Sequence, residues 1–428
     1  MIFNFKLSEY RTLISKEIFF QVFEKGIRVI LGLIIISKLS DYLGPEQYGS
    51  LIFIESNYLL FMGLSGFGLS PEIVKLFVQK KKSLDEFIFN GLFLSFILGT
   101  AWFLLFNIWN IYFLSFPLKN ALFYVSFLLL LNPIFFIEYY YNSQNKLRFN
   151  SIIRVSSYLV CFVLKIIAID NHANLEVFVF IICFEIILTC TILFISLKNK
   201  RELLSKRWKL NFKIQSVILK NSFFIFLYGL GINLFSRIDI LMIQEYLSLK
   251  DLGNYTASFK IIAFLYAFPV IMANTFYPKI LLIKDQDITL KKMYFISFWS
   301  SVFLFISVMF FKEEILNSLF GKQYDSVQQI FNISAITLVV VGISSTYIKV
   351  LYKHTLQKQL FYRSVFGIIL NVFLNLILIP FYGVFGVSYA TIVSIFAVEF
   401  FYDFFDSKTR KHHIFKLKSI LYFKAIKL

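Results

Sequence analysis

Long apolar stretches separated by short polar segments follow one another along the whole chain. About twelve of them are long enough to cross a bilayer as helices, because its hydrocarbon core needs about 20 apolar residues per helix. They cover approximately residues 18–39, 49–69, 85–108, 120–142, 152–169, 176–197, 219–244, 253–277, 293–311, 328–348, 364–380 and 386–404. A single backbone segment in lipid must satisfy its own hydrogen bonds, which favours helices over strands. The pattern predicts an all-α polytopic membrane protein.

Composition supports this prediction. Of 428 residues, 58% are apolar, 20% are aromatic and only 16% are charged, whereas soluble domains carry about 25% charged residues. The surface of a soluble protein could not accommodate 56 Phe and 24 Tyr. The composition therefore excludes a soluble enzyme, a disordered chain and a disulfide scaffold.

The net charge of +18 could indicate a nucleic-acid partner, but its distribution along the chain argues against one. Most of the 43 Lys and Arg residues lie in the N-terminal segment, the even-numbered loops and the C-terminal segment. The odd-numbered loops carry only Lys119, Lys250, Lys312 and Lys322. Basic residues concentrate in cytoplasmic loops of membrane proteins. The distribution thus predicts cytoplasmic termini and no nucleic-acid partner.

The longest connection lies near the middle of the chain and is strongly basic. It divides the predicted helices into two groups of six. The predicted organisation is an N-terminal lobe at 1–200, a basic cytoplasmic linker at 201–217, a C-terminal lobe at 218–404 and a basic cytoplasmic tail at 405–428.

The two halves show a faint internal repeat at an offset of 204 residues. Tyr42-Leu43 precedes Gly49 by the same spacing as Tyr246-Leu247 precedes Gly253. Because both halves begin and end on the same side of the membrane, the repeat would be parallel. Parallel repeats are typical of transporters, which place the substrate site between the halves.

Several charged residues lie inside predicted spans, where each costs roughly 2.5–3.5 kcal/mol on insertion scales. Four cations, Lys25, Arg28, Arg237 and Lys260, predict a cationic cavity between the lobes that binds an anion. The alternative is structural ion pairing, for example between Glu24 and Arg28.

Asp239 and Glu55 are candidate sites for a coupling ion. Asn371 and Asn375, one helical turn apart, are expected to hydrogen-bond between helices or to line the cavity. The three cysteines lie within apolar runs, without metal-ligand spacing. The sequence therefore predicts no metal site, no cofactor and no catalytic residues.

Several motifs together resemble the polysaccharide flippases. Residues 43–49 read Leu-Gly-Pro-Glu-Gln-Tyr-Gly, and 63–69 read Gly-Leu-Ser-Gly-Phe-Gly-Leu. Arg237-Ile238-Asp239 is followed by Leu-Gly-Asn-Tyr-Thr-Ala at 252–257. Asn371 and Asn375 precede Ile-Pro-Phe-Tyr-Gly at 379–383, and then come Gly386 and Ala390-Thr391. The likeness covers nearly the whole chain.

This resemblance implies the MATE-like fold of the multidrug, oligosaccharidyl-lipid and polysaccharide exporters, with two six-helix lobes. It implies a flippase in the bacterial plasma membrane that moves an undecaprenyl-diphosphate-linked oligosaccharide, such as an O-antigen unit, by alternating access. Membrane lipids and polysaccharide polymerase machinery would be its partners. A cationic cavity suits a pyrophosphate independently of the resemblance.

Two other functions remain open. A multidrug exporter of the same fold would favour carboxylates over cations in its cavity, because its substrates are commonly cationic. A polytopic polysaccharide polymerase would need a large external loop, whereas the external loops predicted here are short.

Overall fold

A computed structural model describes residues 7–66, 84–113, 118–144, 146–198, 210–235, 237–283, 287–320, 324 and 326–422. Within these residues all regular elements are helical, as predicted.

The helices of the N-terminal half are α1 (Leu7–Ser65), α2 (Leu84–Phe113), α3 (Lys119–Ser126), a 3₁₀ turn (Phe127–Leu131), α4 (Asn132–Ser143), α5 (Leu147–Asp170) and α6 (Leu175–Lys198). Those that follow are α7 (Phe212–Phe235), α8 (Ile238–Tyr246), α9 (Leu249–Leu265), α10 (Ala267–Leu282), α11 (Ile288–Phe310), α12 (Lys312–Leu319), α13 (Val327–Ser334) and α14 (Thr337–Lys353). The last are α15 (Gln357–Tyr382), α16 (Val384–Phe396), a π-helical turn (Ala397–Tyr402), α17 (Asp403–Phe405) and α18 (Arg410–Ile420).

Two glycines interrupt long helical stretches. Gly44 has a φ of 67° and breaks α1, and Gly383 has a φ of 54° and separates α15 from α16. Glycine adopts this left-handed backbone without a steric penalty. Pro45 follows the first break, where a helix begins again and a missing N–H costs little. The two predicted spans on α1 are therefore separate helical segments.

The predicted spans fall on helices wherever the structure describes them. Among the described residues, eight segments are long and apolar enough to cross a membrane, or nine if the bent pair α13 and α14 forms one span. The three predicted spans that fall short are the two on α1 and the one on α7 and α8. These three contain the charged positions Lys25, Arg28, Glu55, Arg237 and Asp239.

The chain divides into two compact units. The first contains Met1–Ile35 and Ile54–Phe226, and the second contains Ile36–Phe53 and Leu227–Leu428. Each unit has its own buried apolar cluster, with Phe136 in the first and Tyr294 in the second. The segment around the Gly44 break thus belongs to the second unit.

Large apolar side chains also cover outward faces of the helices. Phe303 and Phe310 on α11 are 73% and 78% exposed, and Ile369 and Phe373 on α15 are similarly open. So extensive an apolar exterior is compatible with lipid and incompatible with water. The protein is a multi-pass membrane protein.

Candidate functional site

Arg28 lies on α1 in the first unit, between two carboxylates. Its Nη2 is 3.5 Å from Oε1 of Glu185 on α6, and its Nη1 is 4.0 Å from Oε1 of Glu24, one helical turn earlier. The guanidinium carbon lies 5.0 Å from the ring centroid of Tyr158 on α5. The Arg28 side chain is 38% exposed. Arg28 thus makes only long contacts with its two acidic partners, and its guanidinium is accessible.

Two other candidates of this unit are less defined. Lys25 lies on α1, and its side chain falls outside the described residues. Glu55 lies on the second segment of α1 and is half-buried. The assignment of Lys25 to the cationic cavity and of Glu55 to ion coupling stays a prediction.

Asp239 lies in the second unit at the centre of a buried polar cluster. Its Oδ2 accepts hydrogen bonds from the hydroxyls of Tyr255 at 2.7 Å and Thr391 at 2.6 Å. Its Oδ1 accepts one from Nδ2 of Asn375 at 3.1 Å. The same Nδ2 donates to Oδ1 of Asn371 at 3.0 Å. The cluster therefore joins α8, α9, α15 and α16 around one carboxylate.

The local sequence explains this placement. Asp239 occupies the first turn of α8, where the helix dipole stabilises a negative charge. Asn371 and Asn375 face it together because they are one turn apart on α15. The glycine turn at Gly383 reverses the chain, so Thr391 on α16 faces the same cluster. The predicted interhelical hydrogen bonding of the two asparagines is what the structure shows.

One acceptor of the cluster is left over. No hydrogen-bond donor among the described residues reaches Oδ1 of Asn375, although this atom is buried. A buried acceptor without a donor is unusual in proteins. Carboxylate, hydroxyl and amide oxygens, as carried by Asp239, Thr391 and Asn375, are the ligand types that hard cations prefer. His, Cys, Asp and Glu side chains form no metal-binding group of three or more in the described part of the chain.

The two cations of the second unit lie on different segments of the chain. Arg237 is the residue immediately before α8, two positions from Asp239, and is half-buried. Lys260 lies on α9, half-buried, with its Nζ 5.6 Å from the ring centroid of Tyr48. Both stay candidates for anion binding.

The structure adds residues that the sequence did not single out for the site. Glu185 carried the same signal as the chosen charges, because it also lies within a predicted span. Tyr255 and Thr391 lie in the motifs of the family resemblance, which gave them no site role, and Tyr158 had no signal because isolated hydroxyls on apolar helices are common. Their roles depend on which helices pack together.

The structure places Arg363 in a helix and not in a predicted loop. It falls in the connection predicted between the spans at 328–348 and 364–380, but it lies within α15 and is only 3% exposed. Its Nη2 is 2.8 Å from Oε1 of Glu399, and its Nε is 3.3 Å from Oδ2 of Asp403. The two carboxylates offset the cost of burying this cation. The sequence did not show that they would be its partners.

Residues 14–283, more than half of the chain, match the model of a family described as "Polysaccharide biosynthesis protein". The chain belongs to this family. The matched region includes Arg28, Glu185, Arg237, Asp239 and Lys260.

A curated relative and two solved structures are also similar. An uncharacterized membrane protein of Methanocaldococcus jannaschii is 28% identical over 197 residues, which are 46% of this chain and 47% of that protein. The chain thus matches about half the length of that relative. The lipid II flippase MurJ, in an inward closed conformation, superposes with a TM-score of 0.71 at 17% identity, covering 94% of this chain and 91% of MurJ.

The second structure is the outward-facing conformation of a multidrug resistance MATE family transporter of the MOP superfamily. Its TM-score is 0.64 at 14% identity, with 94% of this chain and 95% of the transporter covered. At these identities the similarities establish a shared fold. The MATE-like fold and the family resemblance predicted from the motifs are confirmed.

Proposed function

We propose that the protein is a flippase that translocates a lipid-diphosphate-linked oligosaccharide from the inner to the outer leaflet of the plasma membrane. The substrate would be an undecaprenyl-diphosphate-linked O-antigen or another surface polysaccharide repeat unit. The observation that carries this proposal is Arg28, an accessible guanidinium inside a predicted span of a polysaccharide biosynthesis protein. Alternating access between the leaflets would move the head group.

A diphosphate is the chemical group that such cations suit. A guanidinium can hold two phosphate oxygens at once, in short charge-assisted hydrogen bonds. Charges inside a span are costly and therefore indicate a function or a partner. We propose that Lys25, Arg28, Arg237 and Lys260 contact the diphosphate during transport. The substrate would leave chemically unchanged, so the protein would not be an enzyme.

The Asp239 cluster is the proposed site of ion coupling. Its carboxylate, the hydroxyl of Thr391 and the donor-free Oδ1 of Asn375 offer oxygens to Na⁺ or a site for a proton. Binding there would change the charge of a cluster that joins four helices. An ion gradient could in this way bias the conformation of the second unit. Glu55 remains the second candidate.

Orientation and partners belong to the same proposal. Both termini would face the cytoplasm, and the flipped unit would pass to polysaccharide polymerase machinery outside. Reporter fusions test the orientation, with a cytoplasmic signal expected at Lys206 and an external signal at Lys322. An external signal at Lys206 would contradict the arrangement of two six-helix lobes.

Deleting the gene and analysing lipid-linked precursors tests the reaction. We expect complete oligosaccharide units on undecaprenyl diphosphate to accumulate in the inner leaflet, and surface glycan to be lost. Single units that accumulate in the outer leaflet would instead indicate a polymerase.

The shared MATE fold and the buried carboxylate of Asp239 favour multidrug export as the second candidate function. Unchanged glycans together with increased sensitivity to cationic drugs would support that function and overturn the flippase proposal.

A further inference from the structure

The two carboxylates beside Arg28 differ in how they are connected to it. Glu24 is on the same helix, one turn earlier, and its side chain is 9% exposed. Glu185 is on α6, and its side chain is 19% exposed. Glu24 therefore accompanies Arg28 in any movement of α1, whereas the contact with Glu185 joins two helices and can be broken.

Both contacts are longer than strong ion pairs. Charge-assisted N–H···O⁻ hydrogen bonds are usually about 2.7–2.9 Å long, and the contacts of Arg28 measure 3.5 and 4.0 Å. A guanidinium has five N–H donors, so most of its bonding capacity remains available. The ring of Tyr158 lies against the guanidinium and limits its orientations.

We propose that Glu185 is an exchangeable counter-ion that occupies Arg28 until the substrate's phosphate displaces it. This inference rests on the proposed function. A carboxylate and a phosphate present similar oxygens to the guanidinium fork. Glu185 neutralises Arg28 while the site is empty, which lowers the cost of a cation within a span.

The exchange has a consequence for turnover. Each phosphate must compete with Glu185 for Arg28, so the carboxylate weakens substrate binding. When the substrate leaves, Glu185 recaptures the cation and assists release. Glu185 is thus a residue that sets affinity and release, and it need not contact the substrate itself.

Binding of undecaprenyl diphosphate to the purified full-length protein in lipid nanodiscs tests this inference. Glu185→Gln keeps the shape of the side chain and removes its charge. We expect the variant to bind undecaprenyl diphosphate about fivefold more tightly and to release it more slowly, as loss of a partly exposed competing ion pair predicts. In an Arg28→Ala background the same substitution should leave affinity unchanged.

Glu138→Gln is the matched control. Glu138 is paired with Arg154 at 2.5 Å in the same unit, so the substitution breaks an ion pair that does not include Arg28. We expect no change in diphosphate affinity. If Glu185→Gln does not fold, Glu185→Asp should still tighten binding, by about twofold, because its shorter side chain weakens the contact with Arg28.

The outcomes separate this inference from the function on which it rests. Suppose that the wild type prefers undecaprenyl diphosphate to undecaprenol, but folded Glu185 variants bind it with unchanged affinity. That result would overturn the proposed exchange and leave the flippase proposal standing. Wild-type protein without that preference would overturn diphosphate recognition and the exchange together. Tighter binding by Glu138→Gln as well would show a general charge effect and contradict the role of Glu185.

Discussion

Gly49 and Gly253 occupy equivalent positions in the two halves of the repeat and pack backbone to backbone within the second unit. A Cβ on Gly49 would overlap the carbonyl oxygen of Leu249 and lie 2.9 Å from the nitrogen of Gly253. A Cβ on Gly253 would overlap the carbonyl oxygen of Pro45. Pro45 and Leu249 are themselves separated by the repeat offset. The contact is therefore reciprocal, as expected where two related helices cross on a pseudo-twofold axis.

Alanine at either glycine should destabilise the protein. We expect Gly49→Ala and Gly253→Ala each to cost about 1–3 kcal/mol of unfolding free energy, because backbone must move to admit the methyl group. The melting temperature of the purified protein measures this. Gly229→Ala is the control, since nothing lies within 4 Å of its added Cβ. Equal melting temperatures for all three variants would contradict close packing at the crossing.

The sequence did not predict this crossing, although it showed the repeat that relates the two glycines. The repeat of Tyr-Leu and Gly was visible, and so were the apolar runs, because lipid requires long helices of known length. Which helices contact one another was not visible, since lipid-facing and protein-facing residues are both apolar. For the same reason the sequence marked Asp239 and Arg28 as costly charges but did not identify Tyr255 or Glu185 as their neighbours.

Asp239→Asn should uncouple the protein from its ion. The amide nearly preserves shape, but it cannot carry the charge on which Na⁺ or a proton would act. In the wild type we expect either Na⁺ at constant pH to raise the melting temperature, or a proton gradient to stimulate transport. The variant should lose that response and the ion dependence of transport in vesicles. Thr391→Val, which removes one oxygen of the cluster, should weaken the response without abolishing it.

A retained response in Asp239→Asn would exclude this carboxylate from ion coupling. Glu55→Gln would then be the next variant to measure in the same assay.

Arg28 and Arg237 are the cations on which transport should depend most. Arg→Ala at either position should abolish transport at normal protein levels, whereas Arg→Lys should retain partial activity because the charge remains without the fork. Flipping of a fluorescent lipid-linked oligosaccharide in proteoliposomes measures this. Lys38→Ala, at an exposed position on α1, is the control. Normal transport by both alanine variants would leave Lys25 and Lys260 as the remaining candidates.

The C-terminal helix α18 is held by a buried charge. Lys416 is fully buried, donates a hydrogen bond of 2.7 Å to the carbonyl oxygen of Glu399 and lies 3.4 Å from its Oε2. Its Nζ is 4.3 Å from the ring centroid of Tyr347. Burial and the neighbouring Arg363 lower the pKa of Lys416 to about 8. Glu399 lies in the π-helical turn, between Lys416 and Arg363.

Lys416→Met should therefore destabilise the second unit. Breaking a buried ion pair costs about 3–5 kcal/mol, and we expect the low end because Glu399 keeps Arg363 and Ser344 as partners. Faster proteolysis of α18 and a lower melting temperature would show this. Lys418→Met, on an exposed face of the same helix, should behave like the wild type. Equal resistance of the two variants would contradict anchoring by Lys416.

We expect His413 to make the stability of the protein sensitive to acid. Its side chain is fully buried, with Nε2 3.2 Å from the carbonyl oxygen of Phe400 and Nδ1 3.6 Å from Oδ2 of Asp403. Burial, and then the positive charge of Lys416, lower the pKa of His413 from 6.5 to about 4. Between these two values the unfolded chain binds a proton that the folded protein does not, so stability falls as the pH falls.

We expect the unfolding free energy to decrease by up to about 1.4 kcal/mol per pH unit as the pH falls from 6.5 to 5. Above pH 5 ordinary carboxylates contribute little to this slope. His413→Gln should lower stability at neutral pH, because the buried contacts change, and should flatten the slope between pH 6.5 and 5. His412→Gln, at the half-buried neighbouring position, should keep it. His413 is the imidazole in α18 that is buried beside both Asp403 and Lys416, so it is the group expected to cause the slope. If His413→Gln keeps the slope unchanged, another group causes the acid sensitivity.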